Sequence, residues 1–266
     1  MYEFAYHRPG SVSEAARLAG DHADGKLLAG GQTLLPTMKQ RLAGPSDLID
    51  LSRLDDLRGV SVKDGVVTIK ALTRHVTVAT SAEVRAAIPA LAELAGMIGD
   101  PAVRNKGTIG GSVANNDPAA DYPSACLALG ATITTNTRAI KADDFFQGMF
   151  ETALEEGEII TSISFPVPEK ANYQKFRNPA SRYALVGVFV AKTGGHVRVA
   201  VTGAGASGVF RVKDFEAALE ANFAPTALEG KSVPASGLNS DIHADAEYRA
   251  HLITVMAKRA VAAAAG

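Results

Sequence analysis

The chain has 266 residues, 47% hydrophobic and 21% charged, with a formal net charge of −1. That balance reads as a water-soluble globular protein of one large domain or two to three small ones. It argues against a polybasic nucleic-acid or membrane-surface binder, and no apolar run reaches the ~18 residues of a transmembrane helix.

One cysteine, Cys126, excludes an intrachain disulfide and a four-cysteine iron–sulfur cluster within this chain. The six histidines (His7, His22, His75, His196, His243 and His251) show no HExxH or similar spacing, so no metal site is expected. Redox chemistry here needs an organic cofactor. The start, Met1 to Tyr6, lacks a basic segment followed by an apolar one, so a cytoplasmic location is expected.

Residues 2–6 alternate weakly and predict a short strand. Ser11-Val12-Ser13-Glu14 is a capping-box pattern opening a helix through about Asp21. Lys26-Leu27-Leu28-Ala29 reads as a buried strand that runs directly into Gly30-Gly31-Gln32-Thr33, and a helical stretch follows to about Arg41. Asp47 to Leu51 is a further strand, giving a β-α-β-α-β unit. Strands at 60–62 and 66–69 flank Lys63-Asp64-Gly65, a hairpin signal.

Helices are predicted near 75–80, 82–87 and 90–98, with Pro89 suited to a helix first turn. A Gly-rich loop spans 107–118. Ser124 to Leu129 reads as helix, Ala131 to Thr135 as strand, Asp143 to Phe150 as helix, and Glu158 to Phe165 as an alternating strand ending at Pro166. Beyond a Pro-bounded stretch at 166–172, strands at 183–191 and 196–202 flank a Gly194-Gly195 turn. A helix at 213–221 and a long helix from Asp245 to about Ala264 close the chain.

Two segments suit a diphosphate. Ala29-Gly30-Gly31-Gln32-Thr33-Leu34 lies at a strand-to-helix junction, where paired glycines let backbone approach a ligand and successive N–H groups form an anion-binding nest. Thr108-Ile109-Gly110-Gly111-Ser112 repeats the pattern, and Asn115, Asn116, Asp117 and Asp121 crowd polar groups behind it. Either segment alone is more often a tight turn that binds nothing. Together, both beside apolar strands, they favour a ligand with two phosphates. Gly-Lys-Ser/Thr is absent, so ATP hydrolysis has no support.

These residues carry a resemblance. Ala29 to Pro36 resembles the first FAD pyrophosphate loop of the flavoprotein (medium) subunits of the molybdenum hydroxylases, such as those of carbon monoxide and xanthine dehydrogenases. Thr108 to Asn115 is similar to their second loop. The resemblance places Asp121 against the FAD adenosine moiety, Ile159 and Ile160 near the flavin through a backbone contact, Lys175 on the isoalloxazine, and Tyr183 beside the ring. The family usually has His or Ser where Gln32 and Thr33 stand, substitutions that keep hydrogen-bonding capacity.

The implied fold class is α+β: a vanillyl-alcohol-oxidase-like (PCMH-type) two-part FAD-binding domain, with subdomains 1–55 and 56–176, plus a smaller C-terminal α/β domain, 177–266, with an antiparallel sheet. The implied function is electron relay: FAD takes electrons from [2Fe–2S] clusters and passes them to an external acceptor. The implied partners are an iron–sulfur small subunit and a molybdopterin large subunit, in a dimer of heterotrimers. The molybdenum cofactor and clusters are expected in those partners. No nucleophile–base pair or metal triad stands out, so no catalytic residue is assigned.

One motif competes. Gly203-Ala204-Gly205-Ala206-Ser207-Gly208 is a literal GxGxxG after a strand and before a helix, the context of a dinucleotide-binding fingerprint. It supports a stand-alone flavin- or NAD(P)-dependent oxidoreductase. Against it, the preceding strand pairs in an apparent hairpin, the helix starts late, and no second parallel strand ends in an acidic residue. A binding module that kept the fold and lost the cofactor is a third reading.

Overall fold

In the computed structural model, which describes residues 1–266, the N-terminal pattern becomes a small parallel sheet. Strand Asp47–Asp50 lies between Ala5–His7 and Lys26–Leu28 and is parallel to both. Helix Val12–Asp21 is opened by Ser11, whose hydroxyl accepts from the Glu14 N–H. The Glu14 carboxylate accepts from the N–H of Gly10, not from that of Ser11 as in a regular capping box. Seven buried apolar residues form this region's core, and three of them, Leu57, Leu72 and Ile159, come from beyond residue 55. The N-terminal unit therefore has no closed core of its own.

The middle region is a five-stranded antiparallel sheet in the order Val60–Lys63, Val66–Lys70, Ile160–Pro166, Thr132–Thr135, Ala139–Lys141. Asp64 and Gly65 both have positive φ and close the first hairpin with the two-residue turn that the Asp-Gly pair predicts. Helices His75–Thr80, Ala82–Ala87 and Pro89–Gly96 form as patterned. Two predicted segments differ. Asp143 to Phe150 is not one helix: Ala142–Phe145 makes a single turn and Phe146–Gly148 pairs with Glu151–Thr152 as a short hairpin. The glycine-rich stretch at 107–118 is not all loop, because Ile109–Asn115 is helical.

The C-terminal sheet is antiparallel, in the order Lys170–Arg177, Ala184–Thr193, His196–Thr202, Phe210–Arg211. Strand Lys170–Arg177 belongs to it. Every residue from Ala184 to Ala191 is buried because both faces are covered. Alternation divides the strand between two cores: Phe189 and Ala191 pack into the middle region, while Val186, Val188 and Val190 face helices Lys213–Ala221 and Ala246–Ala265. No helix is long and apolar enough to cross a membrane.

Candidate functional site

Both Gly-Gly segments wall one cleft of about 780 Å³. They touch directly. A Cβ on Gly30 would sit 2.2 Å from the Lys106 carbonyl oxygen, and one on Gly111 would sit 3.6 Å from the Ala29 Cβ. Residues separated by some 80 positions therefore meet because glycine removes the side chains that would hold them apart.

The two segments offer different chemistry. In the first, Gly31 has φ +70°, a left-handed conformation suited to glycine. The N–H groups of Gly30, Gly31, Gln32, Thr33 and Leu34 donate to no acceptor in the chain. The turn joins the end of strand Lys26–Leu28 to helix Leu34–Lys39, and first-turn amides have no carbonyl four residues back to accept from them. Five successive free donors make an anion nest.

In the second segment the amides are satisfied internally. Ile109 donates to the Thr73 carbonyl (3.1 Å), Gly110 to the Ala71 carbonyl (2.9 Å) and Gly111 to the capping hydroxyl of Thr108 (3.2 Å). The expected second nest is thus a helix start. Its glycines serve close packing: a Cβ on Gly110 would lie 2.6 Å from that of Ala71. What it presents to the cleft is the side chains of Thr108, Ser112 and Asn115.

Of the predicted site residues, Ala29, Gly30, Gly31, Gln32, Thr33, Leu34, Thr108, Gly110, Gly111, Ser112, Asn115, Asp121, Ile159, Ile160 and Tyr183 line the cleft. Ile109 and Lys175 do not. Ile109 is fully buried in the middle core. Lys175 lies behind the wall, its Nζ 2.9 Å from the Asp121 carboxylate and 3.3 Å from the Met97 carbonyl. It is neither a solvated lysine nor a group in the cleft.

The Asp121 carboxylate also accepts from the Tyr173 hydroxyl at 2.5 Å. Burial pushes its pKa upward, and the Lys175 ammonium and the Tyr173 hydroxyl oppose that shift. Burial raises the Tyr183 phenol pKa, and the nearby charges of Asp117 and Asp121 raise it further. Asp121 and Tyr183 therefore stand near one another in the cleft wall, with Lys175 behind Asp121. Ile159 packs instead with Ala15, Ile49 and Leu51, beside Leu27 and Ala29. Asp121 and Lys175, which the resemblance puts at opposite ends of the cofactor, are in direct contact.

Three features near the cleft were given no site role from sequence, although Asn116 was noted among the polar groups behind the second glycine segment. His75 lines the cleft, its Nδ1 has no partner, and burial lowers its pKa to about 4. Asn116, with φ +43° at the end of helix Ile109–Asn115, donates from Nδ2 to the carbonyls of Gly148 and Glu151 and so holds the hairpin that carries Phe150 to the cleft. Glu158, at the Ile159 end, is clasped by Arg138, Thr135, Thr137 and the Glu155 N–H, which bring its pKa down to about 2. A helix patterned from His75 and a strand begun at Glu158 gave no signal that these side chains would face the site.

The Gly203–Gly208 motif is no dinucleotide fingerprint. It joins antiparallel strands His196–Thr202 and Phe210–Arg211, with no parallel crossover. The Gly203 N–H donates to the Pro118 carbonyl, and the Thr202 hydroxyl, whose residue is fully buried, lies 2.6 Å from the Ala120 carbonyl and 3.1 Å from that of Pro118. The C-terminal sheet thereby grips the segment that leads to Asp121.

The chain is similar to known proteins over nearly its whole length. Residues 2–168 match the family model described as the FAD binding domain in molybdopterin dehydrogenase. The chain is 36% identical to the carbon monoxide dehydrogenase medium chain of Hydrogenophaga pseudoflava, over 98% of this chain and 96% of that one. It is 35% identical to the nicotine 6-hydroxylase medium subunit of Paenarthrobacter nicotinovorans, over 96% and 95%. The solved carbon monoxide dehydrogenase from Hydrogenophaga pseudoflava superposes with a TM-score of 0.89 at 37% identity, covering 98% of this chain and 97% of that chain. For quinoline 2-oxidoreductase from Pseudomonas putida 86 the TM-score is 0.88 at 30% identity, covering 99% and 97%.

Proposed function

Because this chain belongs to the FAD-binding medium subunits of the molybdopterin dehydrogenases, we propose that its cleft holds FAD with the diphosphate on the amides of residues 30–34. The observation that carries this reading is the run of five unpaired backbone donors, faced by Thr108 and Ser112 across a contact only glycine permits. Glycine turns of this kind suit a diphosphate because backbone donors reach it with no side chain between.

The lining residues support one direction for the cofactor. The rings of Phe150 and Tyr183 belong to the part of the cleft near Asp117 and Asp121, whereas Ile159 packs with the N-terminal core beside Leu27 and Ala29. The isoalloxazine belongs at the Tyr183 end, where a planar ring finds rings to lie against. The adenosine belongs at the Ile159 end. This exchanges the roles that the resemblance suggests for Asp121 and for Ile159 with Ile160. Lys175 then acts through Asp121, as a positioning residue that keeps a carboxylate and its balancing charge beneath the ring.

When bound, FAD supplies a group stable at both one- and two-electron reduction levels. The chain's residues bind and orient it; Tyr183 and Phe150, both half exposed, leave that end open to a donor or acceptor. With a single buried cysteine, this chain holds no four-cysteine cluster, so iron–sulfur donors belong to another subunit. Relatives are named as medium chains or subunits of multi-subunit complexes, and this chain works as one subunit among several. The finer assembly proposed is an iron–sulfur small subunit and a molybdopterin large subunit, in a dimer of heterotrimers.

Purification from the native host tests this. Flavin absorption bands near ~370 and ~450 nm, together with co-eluting iron and molybdenum, are expected. A flavin-free chain eluting alone would overturn the relay.

A further inference from the structure

His7, His22 and Asp47 are far apart in sequence, which is why spacing gave no metal signal. In the fold they meet. His7 ends the first strand, Asp47 begins the central strand, and His22 caps the helix between them. The Asp47 carboxylate presents one oxygen to each ring: Oδ1 is 2.6 Å from His7 Nε2 and Oδ2 is 3.3 Å from His22 Nδ1. The three ligand atoms all lie within 4.8 Å of one another, and the rings stack with centroids 5.4 Å apart and planes 27° apart.

The arrangement is built by the backbone. The Gly25 N–H donates to the His22 carbonyl at 2.7 Å, closing a turn that lays His22 over Asp47. A Cβ on Gly25 would sit 2.8 Å from that carbonyl and 3.6 Å from the Asp47 Cβ. The Ser46 hydroxyl donates to Asp47 Oδ2 at 2.7 Å, orienting the carboxylate from outside the trio. Asp47 is buried, whereas the His7 and His22 side chains are 28% and 36% exposed. An ion could enter from solvent and keep water on its remaining positions.

We infer that His7, His22 and Asp47 form a binding site for one divalent transition-metal ion of the zinc type, clipping the helix-to-strand turn to the parallel sheet. Two imidazole nitrogens and one carboxylate oxygen suit zinc, cobalt or nickel better than the oxygen-seeking magnesium or calcium. Bonds of ~2.0–2.1 Å at tetrahedral angles place neighbouring ligand atoms ~3.3 Å apart. His22 Nδ1 already stands at that distance from Asp47 Oδ2, and the His7 ring must shift to bring its Nε2 to the same ion. A histidine that only orients a carboxylate needs no second ring converging on the same group. Ala23, Gly25 and Lys26, on the clipped turn, also line the cleft, so metal occupancy stiffens one cleft wall. The site does not depend on which cofactor the cleft holds.

The test uses the purified full chain after chelator treatment and dialysis, titrated with zinc in a calorimeter and with cobalt in a visible spectrometer. Expected are one equivalent of zinc, cobalt absorption of a low-symmetry nitrogen–oxygen site, and a raised unfolding temperature with zinc but not with magnesium. Loss of second-shell partners alone costs 10–100-fold in affinity, so His22→Ala and His7→Ala should each weaken zinc binding at least about 100-fold. The triple variant His196→Ala/His243→Ala/His251→Ala, which removes the other surface histidines, should bind as the wild type does. Asp47→Asn keeps the shape and should also lose the site. No stoichiometric binding, or binding undiminished in both single histidine variants, would show a histidine–aspartate hydrogen-bond clip and overturn the metal site.

Discussion

Gly30→Ala isolates the contact between the two glycine segments. Gly30 lacks the positive φ of Gly31, so alanine meets no backbone strain there, only space. Its methyl would lie 2.2 Å from the Lys106 carbonyl oxygen and 2.7 Å from the Gly107 Cα, both backbone atoms that cannot swing aside. Restoring ordinary contact moves the segments apart by about 1 Å. Hydrogen bonds to oxygen hold over only about 2.7–3.2 Å, so that shift takes the amides of 30–34 out of reach of a diphosphate still held from the Thr108 side. Losing two charge-assisted bonds at about 1.5–3 kcal/mol each weakens FAD binding by roughly 100- to 10,000-fold. Titration of apo-protein by quenching of FAD fluorescence reads this directly, with a thermal melt confirming that the variant folds. A dissociation constant within threefold of the wild type would refute the reasoning.

Other perturbations separate structural from binding roles. Glu158→Gln, which breaks the clasp on Arg138, should cost about 1–3 kcal/mol at neutral pH. The depressed carboxyl stabilises the wild type above pH 4.5, a contribution lost as pH falls toward about 2. Denaturant titrations over that window should slope for the wild type and run flatter for the variant; equal slopes would discount the clasp. His75 is held neutral by burial, so the folded state resists a proton that the unfolded chain accepts. Stability should therefore be full above pH 6.5 and fall as pH drops toward about 4, by up to about 3 kcal/mol. His75→Asn should remove that part of the slope, and a variant as acid-sensitive as the wild type in that window would contradict this. Gly205→Ala, whose Cβ would meet the Gly208 carbonyl at 2.5 Å, should lower stability by about 1–3 kcal/mol yet leave the FAD dissociation constant within threefold. Loss of nucleotide binding in a folded variant would revive the fingerprint reading.

Local patterns made most elements legible. Asp64-Gly65 and Gly194-Gly195 set their hairpins, and Ser11 and Pro89 set helix starts. The first glycine segment was readable because a strand running straight into Gly-Gly leaves donors unpaired whatever follows. The second was misread as loop because Gly110 and Gly111 have poor helix propensity, and tertiary packing on Ala71 with the Thr108 cap overrides it. Strand Lys170–Arg177 went unnoticed because Lys175 falls on the face of Ala171 and Tyr173 and breaks its alternation. Lys175 is tolerated there only by the partner that Asp121 supplies across 54 residues. Motif matching names residues but not their partners: the Asp121–Lys175 ion pair and the packing of Ile159 with Ile49 come from contacts far apart in sequence. His7, His22 and Asp47 were invisible as a group, since parallel pairing of the first and third strands is what brings two of them together.

A crystal structure of the chain with FAD bound is the most direct test of the central claim. The diphosphate oxygens are expected within hydrogen-bonding distance of the 30–34 amides and the Thr108 or Ser112 hydroxyl, with the isoalloxazine against Tyr183 and the adenosine beside Ile159. A diphosphate bound elsewhere, as at Gly203–Gly208, or a ring seated at the Ile159 end, would contradict it.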